Sequence, residues 1–175
     1  MHELILGGAR SGKSRLAEQR ARASNRRVLT IATAQALDEE MAARIAKHRA
    51  DRPADWPVIE EPLALADALK EACAADTCVI VDCLTLWLSN LLLQDNPQRL
   101  QQEVDALLAG ISTLPGQVLL VSNETGLGVI PMGQLSRDFV DQAGWLHQAL
   151  AERCQRVTFC VAGLTMTLKP SKDHS

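Results

Sequence analysis

The feature that most restricts this chain is a glycine-rich segment near its start. Residues 7–14 read Gly-x-x-x-x-Gly-Lys-Ser, directly after the apolar run 3–6 and before a helical pattern that begins at Leu16. This order of strand, loop and helix is the context in which such a spacing forms a phosphate-binding loop. Backbone N–H groups of the loop point at phosphate oxygens, and the helix N-terminus adds a positive dipole. The predicted nucleotide-binding residues here are Gly7, Gly8, Ala9, Arg10, Ser11, Gly12, Lys13 and Ser14.

Three side chains in and near this loop have predicted chemical roles. Lys13 is expected to reach the β- and γ-phosphates as a catalytic cation, and the Ser14 hydroxyl is expected to ligate Mg²⁺. A carboxylate at the end of a neighbouring strand is also needed to hold the metal ion. Asp82 closes the apolar run 78–81 and is the candidate. Aspartate is also a common helix N-cap, so that role for Asp82 stays open.

Strand-like apolar runs alternate with helical patterns along the whole chain. They occur at residues 3–6, 28–32, 78–81, 118–121 and 157–161, with a last alternating run at 164–168. Nearly continuous apolar strands are typical of parallel sheets covered by helices. The sequence therefore predicts a single-domain α/β P-loop nucleotide-binding fold, with a mainly parallel sheet and helices on both faces. The domain is expected to span residues 1–168, followed by a flexible tail at 169–175.

Composition excludes several classes of protein. A net charge of −3 provides no basic field for a nucleic-acid backbone. The longest apolar stretch, residues 84–93, is too short to cross a membrane and is expected to be a buried or interfacial helix. The net charge and the short apolar stretch therefore predict no nucleic-acid partner and no membrane span. The five cysteines include no C-x-x-C pair, which favours reduced thiols and a cytoplasmic protein.

His48 lies in a basic, helix-like segment. Helical spacing puts it on one face with Met41 and Ile45, next to Arg44 and Lys47. By spacing alone, the simpler interpretation is a histidine at the edge of an apolar stripe beside a solvated basic face. The alternative is nucleophilic catalysis, in which the neutral imidazole attacks a phosphorus to form a phosphoramidate. Neighbouring cations would disfavour imidazolium and stabilise charge on the phosphoryl oxygens.

Several segments together resemble one enzyme family. They are GGARSGKS at 7–14, IATAQ at 31–35, DEEMAARIAKHRADRPADW at 38–56, DCLTLWLSNLL at 82–92 and SNETGLGVIP at 122–131. In this order they resemble the bifunctional adenosylcobinamide kinase / adenosylcobinamide-phosphate guanylyltransferase family of cobalamin biosynthesis. The resemblance implies that the corrinoid adenosylcobinamide is phosphorylated with ATP or GTP. GMP is then transferred from GTP to the new phosphate, with release of pyrophosphate.

The resemblance also implies roles for individual residues. It assigns the GMP-histidine intermediate to His48, and it implies a homo-oligomer, specifically a trimer. Apolar surface on residues 84–93, including Trp87, is the candidate interface. Asn123 and Glu124 follow a strand and either touch a ligand or form a glycine-rich turn. The implied nucleotide contacts outside the loop are Thr33, Ala34, Gln35, Arg49, Ala50, Asp51, Arg52, Glu60 and Asp82.

Two other functions compete with this interpretation. A single-step P-loop small-molecule kinase would phosphorylate its substrate without guanylyl transfer, and His48 would then be structural. A GTP-binding switch module would be expected to carry N-K-x-D and D-x-x-G motifs. Residues 123–126 read NETG and residues 82–85 read DCLT, so the second alternative lacks both motifs.

Overall fold

A seven-stranded sheet organises the part of the chain that the computed structural model describes, which is residues 1–35, 39, 43, 55–128 and 130–170. Its strand order is β3-β2-β4-β5-β1-β6-β7. All neighbouring strands run parallel except β6 and β7, which are antiparallel. The strands are β1 (His2–Gly7), β2 (Arg27–Ala32), β3 (Val58–Glu60), β4 (Thr77–Asp82), β5 (Gln117–Asn123), β6 (Arg156–Val161) and β7 (Leu164–Lys169).

Helices pack on both faces of this sheet. They are α1 (Lys13–Ala23), α2 (Leu65–Ala72), α3 (Leu84–Leu93), α4 (Pro97–Gly110) and α5 (Gln134–Arg153), with a short 3-10 turn at Ile111–Thr113. Successive strand side chains point to opposite faces, so Leu4 joins the core cluster under α2 to α5 while Ile5 joins the cluster under α1. The predicted α/β fold with a mainly parallel, doubly covered sheet is confirmed. In the described part of the chain, no helix is both long and apolar enough to cross a membrane.

The sheet order differs from the sequence prediction at one important place. Asp82 was expected on a strand next to the phosphate-loop strand, but β5 lies between β4 and β1. The ends of the strands still meet at one edge, because the register pairs Asp82 with Val121 and Gly7 with Asn123. The carboxyl ends of β1, β2, β3, β4 and β5 therefore gather the loops that form the candidate site.

The C-terminal boundary also differs from the prediction. Lys169 was expected to begin a flexible tail, but it is the last residue of β7. Its amine donates to the carbonyl oxygens of Ala151, Glu152 and Cys154 at 2.8, 3.0 and 2.7 Å. These carbonyls lie in the last turn and at the C-cap of α5. The negative end of the helix dipole favours a cation there. Residues 171–175 lie outside the described residues.

The predicted helix at 84–93 is confirmed, but its expected interface role is wrong for Trp87. The Trp87 side chain is fully buried, and its indole Nε1 donates to the Leu63 carbonyl at 2.7 Å. Thr85, Asn90 and Leu91 are also buried, so α3 contacts the protein interior on most sides. An almost wholly apolar helix is typical of a core position.

Replacing Trp87 with Phe is expected to lower the free energy of unfolding by about 2–3 kcal/mol, because it leaves a cavity in the core and removes the hydrogen bond to the partly buried Leu63 carbonyl. Urea denaturation measures this change. Trp145 is 61% exposed, so Trp145→Phe serves as the matched control and should change stability by less than about 0.5 kcal/mol. Equal effects of the two substitutions would contradict the assigned burial.

Candidate active site

The loop after β1 has the backbone conformation that its glycines predict. Gly12 has φ 98°, in the left-handed region that favours glycine. A Cβ atom at Gly7 would lie 2.3 Å from the Cys160 carbonyl oxygen and 2.6 Å from Ser11 Oγ. Glycine is therefore required at both positions by close approach or by backbone angle. Ala9 and Arg10 are exposed, whereas Ser11 is buried.

Lys13 begins α1 and turns back toward the loop. Its side-chain amine donates to the Gly8 carbonyl at 2.6 Å, and the residue is only 8% exposed. Burial lowers the pKa of Lys13, and the charge of Asp82 is among the neighbours that oppose this shift. The cation is therefore held at the loop predicted to receive phosphates, within electrostatic range of the predicted metal ligand.

Ser14 and Asp82 line the same small cleft, although they lie on different elements. Thr30, Trp56 and Val121 complete much of its wall. Hydroxyl and carboxylate oxygens are the ligand types that Mg²⁺ prefers, and this ion is commonly held by one or two protein oxygens plus phosphates and waters. The residues present therefore fit the predicted metal ion.

Thr33 joins the ends of β2 and β4. Its hydroxyl donates to the Cys83 carbonyl at 2.7 Å and accepts from the Cys83 amide at 3.0 Å. The Asn90 side chain donates to the Thr33 carbonyl at 2.7 Å. Thr33 is fully buried, so its side chain stabilises the edge of the sheet, while the half-buried Ala34 and Gln35 that follow lie nearer the surface.

Glu60 is the last residue of β3. The register pairs it with Ala32, immediately before Thr33, and its side chain is exposed. The structure thus brings Glu60 to the edge that carries the 33–35 segment. The predicted residues His48, Arg49, Ala50, Asp51 and Arg52 lie outside the described residues.

Ser122, Glu124 and His147 form a polar cluster at the end of β5, of which only Glu124 was singled out from the sequence. The Glu124 amide donates to the Gly7 carbonyl at 3.0 Å, which ties Glu124 to the first residue of the phosphate loop. His147 Nε2 lies 2.7 Å from Ser122 Oγ, and His147 Nδ1 lies 3.9 Å from a Glu124 carboxylate oxygen. His147 was missed, although its helical spacing from Ala143 and Leu150 places it on the buried face of α5.

Comparison with known proteins decides the family of this chain. The model of the cobinamide kinase / cobinamide phosphate guanyltransferase family matches residues 3–168. The chain belongs to this family. It is 66% identical over 169 residues to the bifunctional adenosylcobalamin biosynthesis protein CobP of Pseudomonas aeruginosa, covering 97% of this chain and 98% of that protein. It is 37% identical over 179 residues to CobU of Escherichia coli, covering 95% and 98%.

The fold is also found in a solved structure that is distant in sequence. A protein of Pyrococcus horikoshii OT3, from a structural study of project PH0250, superposes with a TM-score of 0.59 at 11% sequence identity. The match covers 98% of this chain and 87% of that chain. At this identity the likeness supports the α/β fold alone. The family assignment depends on the sequence relatives and on the ordered motifs.

Proposed function

We propose that this enzyme phosphorylates adenosylcobinamide with ATP or GTP and then transfers GMP from GTP to the product phosphate. The observation that carries the proposal is the convergence of the glycine-rich loop, Lys13, Ser14 and Asp82 at one sheet edge, in a chain whose family match spans residues 3–168. This arrangement has the parts that phosphoryl transfer needs, which are phosphate-binding amides, a cation and metal-ligand oxygens.

In the first reaction the loop holds the triphosphate and Lys13 stabilises its γ-phosphoryl group. The hydroxyl oxygen of the aminopropanol arm attacks the γ-phosphorus as the bond to the β,γ-bridging oxygen breaks. Ser14 and Asp82 would hold Mg²⁺, which neutralises charge on the phosphate oxygens when it is bound. The Lys13 amine, which donates to the Gly8 carbonyl, then also donates to phosphate oxygens of the bound triphosphate.

In the second reaction His48 is the nucleophile. Its imidazole nitrogen attacks the α-phosphorus of GTP, pyrophosphate leaves, and GMP stays on the histidine as a phosphoramidate. The phosphate of adenosylcobinamide phosphate then attacks the same phosphorus and releases His48. The products are adenosylcobinamide-GDP and the free enzyme. Covalent catalysis of this kind divides one transfer into two steps.

The remaining nucleotide contacts are proposed from the same edge of the sheet. Because Thr33 is buried and its hydroxyl, carbonyl and amide are already hydrogen-bonded within the protein, we assign the contacts in this segment to Ala34 and Gln35. We assign contact with a guanine edge to the carboxylate of Glu60, which is exposed at the end of β3. Arg49, Ala50, Asp51 and Arg52 follow the proposed nucleophile in the sequence and complete the set.

We also propose that the protein is a cytoplasmic homo-oligomer, specifically a trimer. The five cysteines are free thiols, which supports a reducing compartment. Edge strand β7 exposes Leu164, Met166 and Leu168 at 72, 55 and 55%, and apolar edge strands of this kind are commonly covered by another chain. Light scattering during size-exclusion chromatography measures the number of subunits. A monomer at micromolar concentration would contradict this assembly.

The two reactions are tested on the wild-type enzyme with two labels. Label from the γ-phosphate of ATP or GTP should appear on adenosylcobinamide. Label from the α-phosphate of GTP should remain on the denatured protein, resist alkali, be released by acid and be discharged by adenosylcobinamide phosphate. Transfer of γ-label without any α-labelled protein would favour the single-step kinase. Nucleotide binding without either transfer would favour the switch module.

Replacing Asp82 with Asn is expected to raise the Mg²⁺ concentration for half-maximal kinase activity by about 10- to 100-fold, because an amide binds the ion more weakly than a carboxylate. A Mg²⁺ titration of initial rates measures this change. Asp76→Asn is the matched control, since Asp76 is exposed and precedes the opposite end of the same strand. An unchanged Mg²⁺ requirement in the Asp82 variant would remove this residue from the metal site.

A further inference from the structure

Glu124 occupies a position that the proposed chemistry has not yet used. It follows β5, which lies between the strand that enters the phosphate loop and the strand that ends at Asp82. Its amide is bonded to the Gly7 carbonyl at 3.0 Å. The backbone of Glu124 is therefore fixed between the phosphate loop and the proposed metal ligand, at the edge where parallel sheets bind their ligands.

The carboxylate of Glu124 is partly restrained and partly accessible. One oxygen accepts a hydrogen bond from the Gly126 amide at 2.6 Å. The other oxygen lies 3.9 Å from His147 Nδ1, which is longer than a direct hydrogen bond. The Glu124 side chain is 22% exposed to solvent. One oxygen is thus held by the backbone, while the group remains open to a substrate and to solvent.

His147 and Ser122 lie behind this carboxylate in the protein interior. Ser122 is fully buried and His147 is 7% exposed, and their polar atoms are 2.7 Å apart. Burial lowers the pKa of His147, with the charge of Glu124 opposing the shift, so the neutral imidazole is favoured. When Ser122 donates its hydroxyl proton to Nε2, the imidazole carries its own proton on Nδ1, which faces Glu124.

We propose that Glu124 is the general base of the kinase reaction, and that His147 and Ser122 are positioning residues for its carboxylate. This inference rests on the proposed function. As the hydroxyl oxygen of adenosylcobinamide forms its bond to the γ-phosphorus, its proton passes to the second oxygen of Glu124. The bond from phosphorus to the β,γ-bridging oxygen breaks, and the nucleoside diphosphate leaves with that electron pair. Glu124 then releases the proton to solvent.

The decisive variant is Glu124→Gln, which keeps the side chain's size and its oxygen acceptor for the Gly126 amide but removes the basic group. We expect kcat for γ-phosphoryl transfer to adenosylcobinamide to fall by about 100-fold or more, as is usual for loss of a general base. The KM for ATP and the α-label from GTP on the protein should stay at wild-type values. Guanylyl transfer to supplied adenosylcobinamide phosphate should also persist, because that acceptor carries no hydroxyl proton at the reacting oxygen.

The outcomes separate this inference from the proposed function. Wild-type phosphoryl transfer in Glu124→Gln would overturn the base assignment, and so would parallel loss of kinase activity and α-label, which indicates a structural role. Absence of phosphoryl transfer in the unmodified enzyme would overturn the proposed function and this inference with it. Glu152→Gln is the matched control, because Glu152 is 82% exposed near the far end of α5, and it should retain full activity.

The positioning role is tested by a double-mutant cycle. His147→Gln should lower kcat by about 10-fold with an unchanged KM for adenosylcobinamide, because the second carboxylate oxygen loses the imidazole that faces it while the carboxylate keeps its basicity. Combined with Glu124→Gln, it should cause little further loss, since His147 acts only through Glu124. Multiplicative losses in the double variant would show that the two residues act independently and would overturn the positioning role.

Discussion

Replacing His48 with Asn is expected to abolish guanylyl transfer while leaving phosphorylation of adenosylcobinamide close to the wild-type rate. The amide cannot attack the α-phosphorus, so no GMP-enzyme forms and the transfer rate should fall by at least about 10⁴-fold. The first reaction uses a different nucleophile, the substrate hydroxyl, and does not need this imidazole. Parallel assays with α-labelled GTP and γ-labelled ATP measure the two rates on one preparation.

The control for this experiment is His174→Asn, which changes the histidine next to the C-terminus and should leave both rates unchanged. If Asn at position 48 retained the α-label, the phosphoramidate would have to be on another residue. Loss of both activities would show that position 48 supports folding or triphosphate binding, which is the simpler role that helical spacing alone suggests for this histidine.

Replacing Lys13 with Ala is expected to reduce the kinase rate by about 10³-fold, because it removes the cation that stabilises charge developing on the γ-phosphoryl oxygens. If the two reactions use the same loop, formation of the GMP-enzyme should fall as well, since the triphosphate loses a major contact. Initial rates with adenosylcobinamide, and α-label per protein, measure the two effects.

Lys70→Ala is the matched control for Lys13. Lys70 is on α2, and its 58% exposed side chain pairs with Asp67 at 2.9 Å. Exposed pairs of this kind contribute little to stability, so the control should behave as wild type. Normal turnover by Lys13→Ala would contradict the assignment of residues 7–14 as the catalytic phosphate loop. A selective loss of the kinase reaction alone would indicate that guanylyl transfer uses a second nucleotide site.

Local patterns predicted the phosphate loop and most of the secondary structure. The spacing of Gly7, Gly12, Lys13 and Ser14 is confined to one strand, loop and helix, so the sequence contains all the information needed to place them. The order of the strands in the sheet could not be predicted in this way, because parallel pairing joins residues that are far apart in the chain. The insertion of β5 between β1 and β4 could not be inferred from apolar runs, and the three-residue strand β3 is too short to give a pattern.

Some polar residues of the candidate site are visible in local sequence patterns, whereas others are recognised only from the folded structure. Asp82 could be proposed from the sequence because it directly closes an apolar run. His147 was missed because its partner Ser122 lies 25 residues away in the chain. Such a pairing follows from how α5 packs on the sheet, and no short motif encodes it. Thr33 shows the opposite case, in which a family motif is visible but only the structure reveals its bonds to Cys83.

The turn between β6 and β7, near the end of the sequence, contacts the phosphate loop directly. The Gly163 amide donates to the Ser11 carbonyl at 3.0 Å, and a Cβ at Gly12 would lie 3.4 Å from the Gly163 Cα. The hairpin formed by β6 and β7 thus stabilises a loop that lies about 150 residues earlier in the sequence. A shortened chain that lacked this hairpin would keep Lys13, Ser14 and Asp82 but would lose contacts that stabilise the phosphate loop. We therefore expect C-terminal truncation to lower the affinity for triphosphate.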